Sequence, residues 1–299
     1  MKKKLKIADI NMRDPFIYVD KRAGRYHLFG TTAAGQAQRF DMYISIDLES
    51  WEGPMTIFEG KDHPDFWGTN DFWAPEVYFV EKLNAYIMFA TLRGKTRKRG
   101  TVALISKDLL KDKFRPYSDK ITPFDHTNLD GTLFYDHLGK PNIIYCHEWL
   151  EINDGSFIKA ELSKNLMDIN LDSIKVLFNA SQIPWSISPK FAKTKQDYIS
   201  DGPFVFRKDK YDYLLYSSFG KNGYQAGYCY TSDNWKTITH SKQPLTEANS
   251  GHAMAFTGLD QQCYIIYHAD NESSRVIPTI KKMIFKKRPF TRRPILKLL

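Results

Sequence analysis

The sequence predicts an all-β fold made of five repeated units, and three observations lead to that expectation. Aromatic residues make up 14% of the 299-residue chain, with 20 Phe and 17 Tyr, and they fall in short apolar runs that suit strands better than helices. Polar turns join those runs in pairs, which is the pattern of a β-hairpin. The paired pattern then recurs five times, and a repeat of this length signals a radial or stacked architecture.

The five hairpins read "RDPFIYVDKRAGRYHLFGT" from Arg13, "WAPEVYFVEKLNAYIMFAT" from Trp73, "LDGTLFYDHLGKPNIIYCHE" from Leu129, "SDGPFVFRKDKYDYLLYSS" from Ser200 and "SGHAMAFTGLDQQCYIIYHA" from Ser250. Each opens on a short residue with Pro or Gly beside it, and each second run ends on a small or polar residue. A third run follows every hairpin: "MYISIDLESW", "TVALISKDLL", "SFIKAELSKNL", "QAGYCYTSDNW" and "TIKKMIFKK". With the unit heads at 14, 74, 130, 201 and about 251, the spacings of 60, 56, 71 and about 50 residues suit three or four antiparallel strands per unit. Five such units around an axis make a five-bladed β-propeller, which leaves no long sheet edge exposed. The repeat consumes residues 1–299, so one propeller domain is expected. Ring closure is expected from a strand in "KKLKIADI" pairing with the last blade.

Composition narrows the function classes. A net charge of +9 and a pI of 9.2 invite a nucleic-acid reading. The basic clusters are "MKKKLK", "RGKTRKRG" and "IKKMIFKKRPFTRRP", and no RNA- or DNA-binding motif accompanies them, so no nucleic-acid partner is expected. No run of 18 apolar residues is present, so no membrane partner is expected either. The start "MKKKLKIADIN" lacks the apolar segment of a signal peptide, and a cytoplasmic location is the expectation. Cys146, Cys229 and Cys263 sit in apolar runs at unrelated spacings and read as buried free thiols. The oligomeric state is left open.

In a propeller the innermost strand of each blade begins at the channel mouth. Three heads carry Asp14, Asp130 and Asp201, so three carboxylates are expected to converge there. An Asp before Pro or Gly also caps turns. Carboxylates gathered in one place repel, and such gatherings usually bind a cation or perform acid–base work.

Together, "RDPFIY…GRYHLFGT", "FWAPEVY", "LDGTLFYDHLGKP", "DGPFVFRKDKYDYLLYSS" and "SGHAMAFTGLDQQCYIIYH" resemble glycoside hydrolase family 43 along essentially the whole chain, in order. The resemblance implies an inverting arabinofuranosidase or xylosidase acting on oligosaccharides. It implies that Asp14 is the general base, that Asp130 tunes and orients the acid, and that position 201 holds the acid. Two departures stand out. Gly131 replaces a frequent Pro, and Asp201 replaces a Glu, which sets the carboxyl back by roughly 1.2–1.5 Å. Glu148 in "CHEW" and Glu76 in "WAPEV" are the alternative acids. Inversion needs carboxyls roughly 6.5–9.5 Å apart, and retention about 5–5.5 Å.

Other expected site residues are Trp73, whose ring could stack on a sugar, Phe16, Glu148, Trp149 and His252; Phe72 and Trp185 are further candidates for the wall, and His147 could equally end a strand. No cofactor is required, and no metal ligand set is assigned; the resemblance implies one metal option, a calcium in the channel near His252. Asp14 is expected to be kept ionised by Arg13 or another cation. The expected function is an exo-acting inverting glycosidase that removes arabinofuranosyl or xylosyl units from short oligosaccharides. The alternatives are a sugar-binding propeller of the same family impaired by Asp201, and a retaining propeller of the fructan-cleaving kind, hinted at by "NMRDP".

Overall fold

The computed structural model describes residues 4–288 and 291–299. Five antiparallel sheets surround a central channel as a five-bladed β-propeller. The innermost strands are Arg13–Asp20, Asn70–Val80, Asn128–Tyr135, Asp201–Lys208 and Gly251–Thr257. The second strands are Arg25–Thr31, Ala85–Arg93, Pro141–His147, Tyr211–Gly220 and Cys263–Ala269, each paired to the innermost strand of its own blade. Third and fourth strands complete every sheet, as in blade 1 with Arg39–Ser45 and Ser50–Glu59.

Local chemistry explains the repeating outline. The turn between the first two strands of each blade contains a left-handed residue: Gly24, Asn84, Gly139, Asp209 and Gln261. Four of these are Gly, Asn or Asp, the types that reach this region most easily. After the third strand, the Asp or Asn of each Ser/Thr-x-Asp/Asn turn takes the next backbone amides. Asp47 Oδ1 accepts from Glu49 and Ser50, Asp108 Oδ1 from Leu110 and Lys111, Asn165 Oδ1 from Met167, and Asp233 Oδ1 from Lys236 and Thr237. The second strands are covered on both faces by neighbouring blades and therefore read as continuous apolar runs. Ile87, Met88 and Phe89 in blade 2 are all fully buried.

Ring closure differs from the expectation. The N-terminal strand Leu5–Lys6 pairs with Ser50–Glu59 at the outer edge of blade 1, not with the last blade. Blade 5 is built entirely from strands that follow Gly251. The seam between blades 5 and 1 closes through individual bonds. Met12 N–H donates to the Val276 carbonyl (2.9 Å), Val276 N–H to Asn11 Oδ1 (2.9 Å) and Leu259 N–H to the Tyr26 hydroxyl (2.8 Å). A two-residue strand carries too little pattern to choose its own edge.

The basic charge of the loop cluster is largely paired. In "RGKTRKRG", Arg93 and Arg99 bind Asp71, Arg97 binds Asp119 and Lys98 binds Glu151. The terminal clusters lie partly outside the described residues. Among the described residues no helix is long and apolar enough to cross a membrane. All three cysteines are free; Cys146 and Cys229 are buried as expected, whereas Cys263, at the start of an outer hairpin arm, is half-buried.

The seam bond at Tyr26 makes a testable case. Tyr26→Phe keeps the ring but leaves the part-buried Leu259 amide without its acceptor, and since a fully buried unpaired donor costs about 1–3 kcal/mol the loss here should be near the lower end, about 1 kcal/mol. Urea unfolding should show that loss; an unchanged midpoint would mean that water replaces the hydroxyl.

Candidate active site

Each innermost strand has a left-handed residue within a β-bulge where it enters the channel. The five are Asp14 (φ 49°), Ala74 (φ 43°), Asp130 (φ 57°), Gly202 (φ 50°) and His252 (φ 51°). The extra residue of a bulge re-aims its side chain towards the channel axis. Blade 4 therefore corrects the expected register. Its head is Gly202, and Asp201 stands one residue earlier, level with Arg13, Trp73, Leu129 and Gly251.

The head amides are caught across the seams. Ala74 N–H donates to Thr31 Oγ1 (2.8 Å), Asp130 N–H to Thr91 Oγ1 (2.8 Å), His252 N–H to Ser217 Oγ (2.7 Å) and Asp14 N–H to His268 Nδ1 (3.1 Å). Each acceptor is on the second strand of the preceding blade. Because His268 Nδ1 accepts here, its proton is on Nε2, which donates to Asn271 Oδ1 at 3.0 Å. Burial keeps His268 neutral by pulling its pKa down to about 4.

A cavity of about 420 Å³ opens above the heads, lined by Asp14, Asp130, Asp201, Glu148, Trp149 and His252 among others. Asp14 is half-buried, which opposes ionisation, yet its carboxyl is held well below the usual range by the charge of His252, whose Nδ1 lies 3.1 Å from Oδ1. Thr31 adds a hydroxyl donor at 2.5 Å from Oδ2. His252 responds reciprocally. Burial would discharge it, but Asp14, and then Asp130 at 3.9 Å, push its pKa up to about 10. Arg13, the cation expected beside Asp14, turns away instead and donates to Asn271 Oδ1 (2.6 Å) and to the Asn271 carbonyl (2.7 Å).

Asp130 is shifted upward, first by burial and then by the neighbouring Asp201 carboxylate. Gly202 N–H donates to Asp130 Oδ2 and to Asp201 Oδ1, both at 3.1 Å, and Tyr224 donates its hydroxyl to Asp201 Oδ2 at 2.5 Å. One ligand atom from each of Asp130, Asp201 and His252 lies within 4.8 Å of the others, a trio able to hold a cation.

The alternative acids are placed elsewhere or already paired. Glu76 lies below the heads, buried, with its carboxyl bonded to the Tyr78 hydroxyl and its pKa raised by burial to about 7. Glu148 lines the cavity but accepts from Arg99 Nη1 at 2.5 Å. Arg99 also binds Asp71 and stacks over Trp73, 4.3 Å from its ring centroid, so one face of that ring is already covered. Trp73 and Trp149 line the cavity, as expected. Phe16 does not. The bulge at Asp14 sends it down the channel against Tyr78 and Phe204, where it lines a separate cavity of about 410 Å³. Trp185 packs on Tyr216, and His147 binds Glu151, both outside the site cavity. A further cavity of about 570 Å³, which Phe72 helps to line, shares Arg13, Thr31 and Trp73 with the first. Sequence reasoning missed Tyr224, Thr31, His268 and Arg99. Three of the four end or begin strands at the channel mouth, a position that the small or polar run endings already marked.

Carboxyls gathered at the mouth of a five-bladed channel, one held ionised by a histidine and another pushed towards its protonated form, fit the class of hydrolases of glycosidic bonds. The chain matches glycosyl hydrolases family 43 over residues 7–291 and belongs to that family. An endo-arabinase structure from Bacteroides thetaiotaomicron VPI-5482 is 33% identical, with 97% of this chain and 100% of that one covered and a TM-score of 0.87. A thermostable family-43 glycoside hydrolase is 22% identical (96% and 92% covered, TM-score 0.79). An α-L-arabinofuranosidase from Lactobacillus brevis is 17% identical (97% of each chain covered, TM-score 0.73), and these two share the fold. No curated protein sequence matches the chain.

The Asp14–His252 pair sets a pH window. Stability from the lowered Asp14 is present above its ordinary value of 3.8 and is lost as pH falls through its folded value. Stability from the raised His252 is complete below 6.5 and is lost as pH rises through about 10. The stability gap between wild type and His252→Gln should be widest between those limits and should narrow from pH 6.5 to 10. Urea melts across that range check it, and a constant gap would remove the charge from His252.

Proposed function

We propose that this family member hydrolyses arabinofuranose- or xylose-containing oligosaccharides with inversion, and that Asp14, Asp130 and Asp201 carry the reaction. The main support is electrostatic: one cavity contains an ionised carboxylate paired to a charged imidazole, and a second carboxyl, Asp130, whose ionisation is opposed by burial and by the Asp201 carboxylate beside it. In this reading Asp14 takes a proton from water as the water oxygen bonds to the anomeric carbon. The bond to the leaving oxygen breaks, and that oxygen takes the proton delivered from Asp201. Asp130 tunes the donor, and His252 keeps the base ionised.

The 33% identical endo-arabinase favours arabinose over xylose. The adjoining cavity favours a substrate longer than the unit released, because it extends along Arg13, Thr31 and Trp73 away from Asp201. Arabino- and xylo-oligosaccharides, with the matching nitrophenyl glycosides, test the reading. Proton NMR of the first product should show the anomer opposite to that of the substrate. A retained anomer would favour a covalent route. Binding without turnover on the whole panel would favour the sugar-binding alternative that Asp201 suggests.

Asp201→Asn separates donor from bystander. A nitrophenolate leaves with little help, whereas a sugar alkoxide needs a proton. General acid assistance is typically worth about 10²–10⁴-fold, so the loss on oligosaccharide should exceed the loss on nitrophenyl glycoside by a factor approaching that range. Equal losses would reassign the donor, and Glu148→Gln in the same two assays would show whether it had moved there.

A further inference from the structure

Four of the five head amides are held by a side-chain oxygen or nitrogen from the preceding blade, at positions 31, 91, 217 and 268. The fifth such position is Cys146, which pairs with Leu129 as Thr31 pairs with Arg13 and Ser217 with Asp201. Cys146 is fully buried, and its side chain interacts with that of Ser200. Sulfur is a weak acceptor. The Gly202 amide, which by the rule of the other seams belongs to residue 146, goes instead to Asp130 Oδ2 and Asp201 Oδ1, both at 3.1 Å.

We propose that Cys146 is a positioning residue: a thiol at this seam leaves the Gly202 amide free to bridge the Asp130 and Asp201 carboxyls. The inference rests on the proposed roles of those two acids. One N–H then joins blade 3 to blade 4 through the carboxyls themselves, where every other seam uses a neutral side chain or an imidazole. Donating to a carboxylate favours its charged form. The bridge therefore offsets part of the cost of burying the Asp130 carboxylate, the more buried of the two acids, and fixes the Asp201 carboxyl beside it. Tyr224 pulls the other way at Asp201 Oδ2, so the amide contributes to the balance between the two acids.

The test uses a substitution that packing alone would rank as harmless. Cys146→Ser is nearly isosteric and supplies the acceptor present at the other seams, whereas Cys146→Ala leaves a small void and supplies none. In Cys146→Ser the hydroxyl should claim the Gly202 amide. The limb of the pH–rate profile set by the acid pair should then move up by about one pH unit, the size expected for a lost charge-assisted bond. Turnover should fall about tenfold. In Cys146→Ala the limb should stay at its wild-type position, whatever stability the missing sulfur costs in a urea melt. A readout independent of turnover is the Gly202 amide in glycine-selective ¹⁵N NMR. Its shift should follow carboxyl titration in wild type and Cys146→Ala and lose that dependence in Cys146→Ser. A Gly202 amide indifferent to pH in wild type would overturn the proposal. So would unmoved limbs in both variants, or a larger shift in Cys146→Ala than in Cys146→Ser. Were wild type to turn over no saccharide, the proposed function would fail while the amide titration still judged the bridge.

Discussion

A left-handed residue at the head of each blade, with its amide caught by the blade before it, is the constraint on which the rest of the site depends. The conformation is costly for side chains other than Gly, Asn and Asp, and Ala74 adopts it without any such excuse. An uncaught amide at this depth would add the cost of a buried, unpaired donor. The cross-seam acceptors remove that second cost, and in doing so they fix each blade's angular position against its neighbour. The bulge that contains it turns the head position towards the axis. One backbone device thus interlocks the ring and turns five head positions towards one spot. Two of the five positions hold residues with no functional group, Ala74 and Gly202, and the other three hold Asp14, Asp130 and His252.

Crowding acids in a small, mostly buried volume is tolerable only with compensation. His252 supplies it from within the same ring of heads, 3.1 Å from Asp14 and 3.9 Å from Asp130. The neighbouring His268, 3.5 Å from Asp14, stays neutral because burial lowers its pKa, and its Nδ1 accepts from the Asp14 amide while its Nε2 donates to Asn271. Two histidines a few ångströms apart therefore carry different charges, decided by what each nitrogen faces. The arginines around the mouth do a separate job. Arg93 and Arg99 share Asp71, and Arg99 ties Glu148 to the covered face of Trp73.

The five-fold architecture was legible in the sequence because hairpin patterning and turn residues act locally and repeat. The convergence of Asp14, Asp130 and Asp201 on one cavity was legible for the same reason. The register of blade 4 was not, because "SDGPF" was matched to "RDPF" by its aspartate. Matching the prolines, Pro15, Pro75 and Pro203, places Gly202 with Asp14 and Ala74 and sets Asp201 one step earlier. Phe16 was misassigned because strand alternation alone does not count the extra residue of a bulge. The N-terminal strand was misplaced because two residues have no usable period. The charge partner of Asp14 lay beyond sequence reasoning for a different reason: Arg13 is adjacent in the chain, but adjacent residues on a strand face apart, and the true partner comes from 238 residues away by way of ring closure.

The blade 4 register also bears on why an aspartate can stand where the family has a glutamate. A residue at the head position is aimed at the axis by its bulge; a residue one step earlier lines the wall of the cavity, as Arg13, Trp73 and Leu129 do. From the wall, a side chain reaches the substrate by its direction as well as its length. Asp201 has both oxygens fixed, one by its neighbour's amide and one by Tyr224, so its carboxyl is held by two bonds on a short arm with few torsions to lose. A glutamate would reach further but would leave those two donors to find other partners in a cavity that already contains Asp130. The shorter residue is therefore matched to a tighter cradle, and the Gly202 amide that helps to form that cradle is the one left unclaimed by the seam at Cys146.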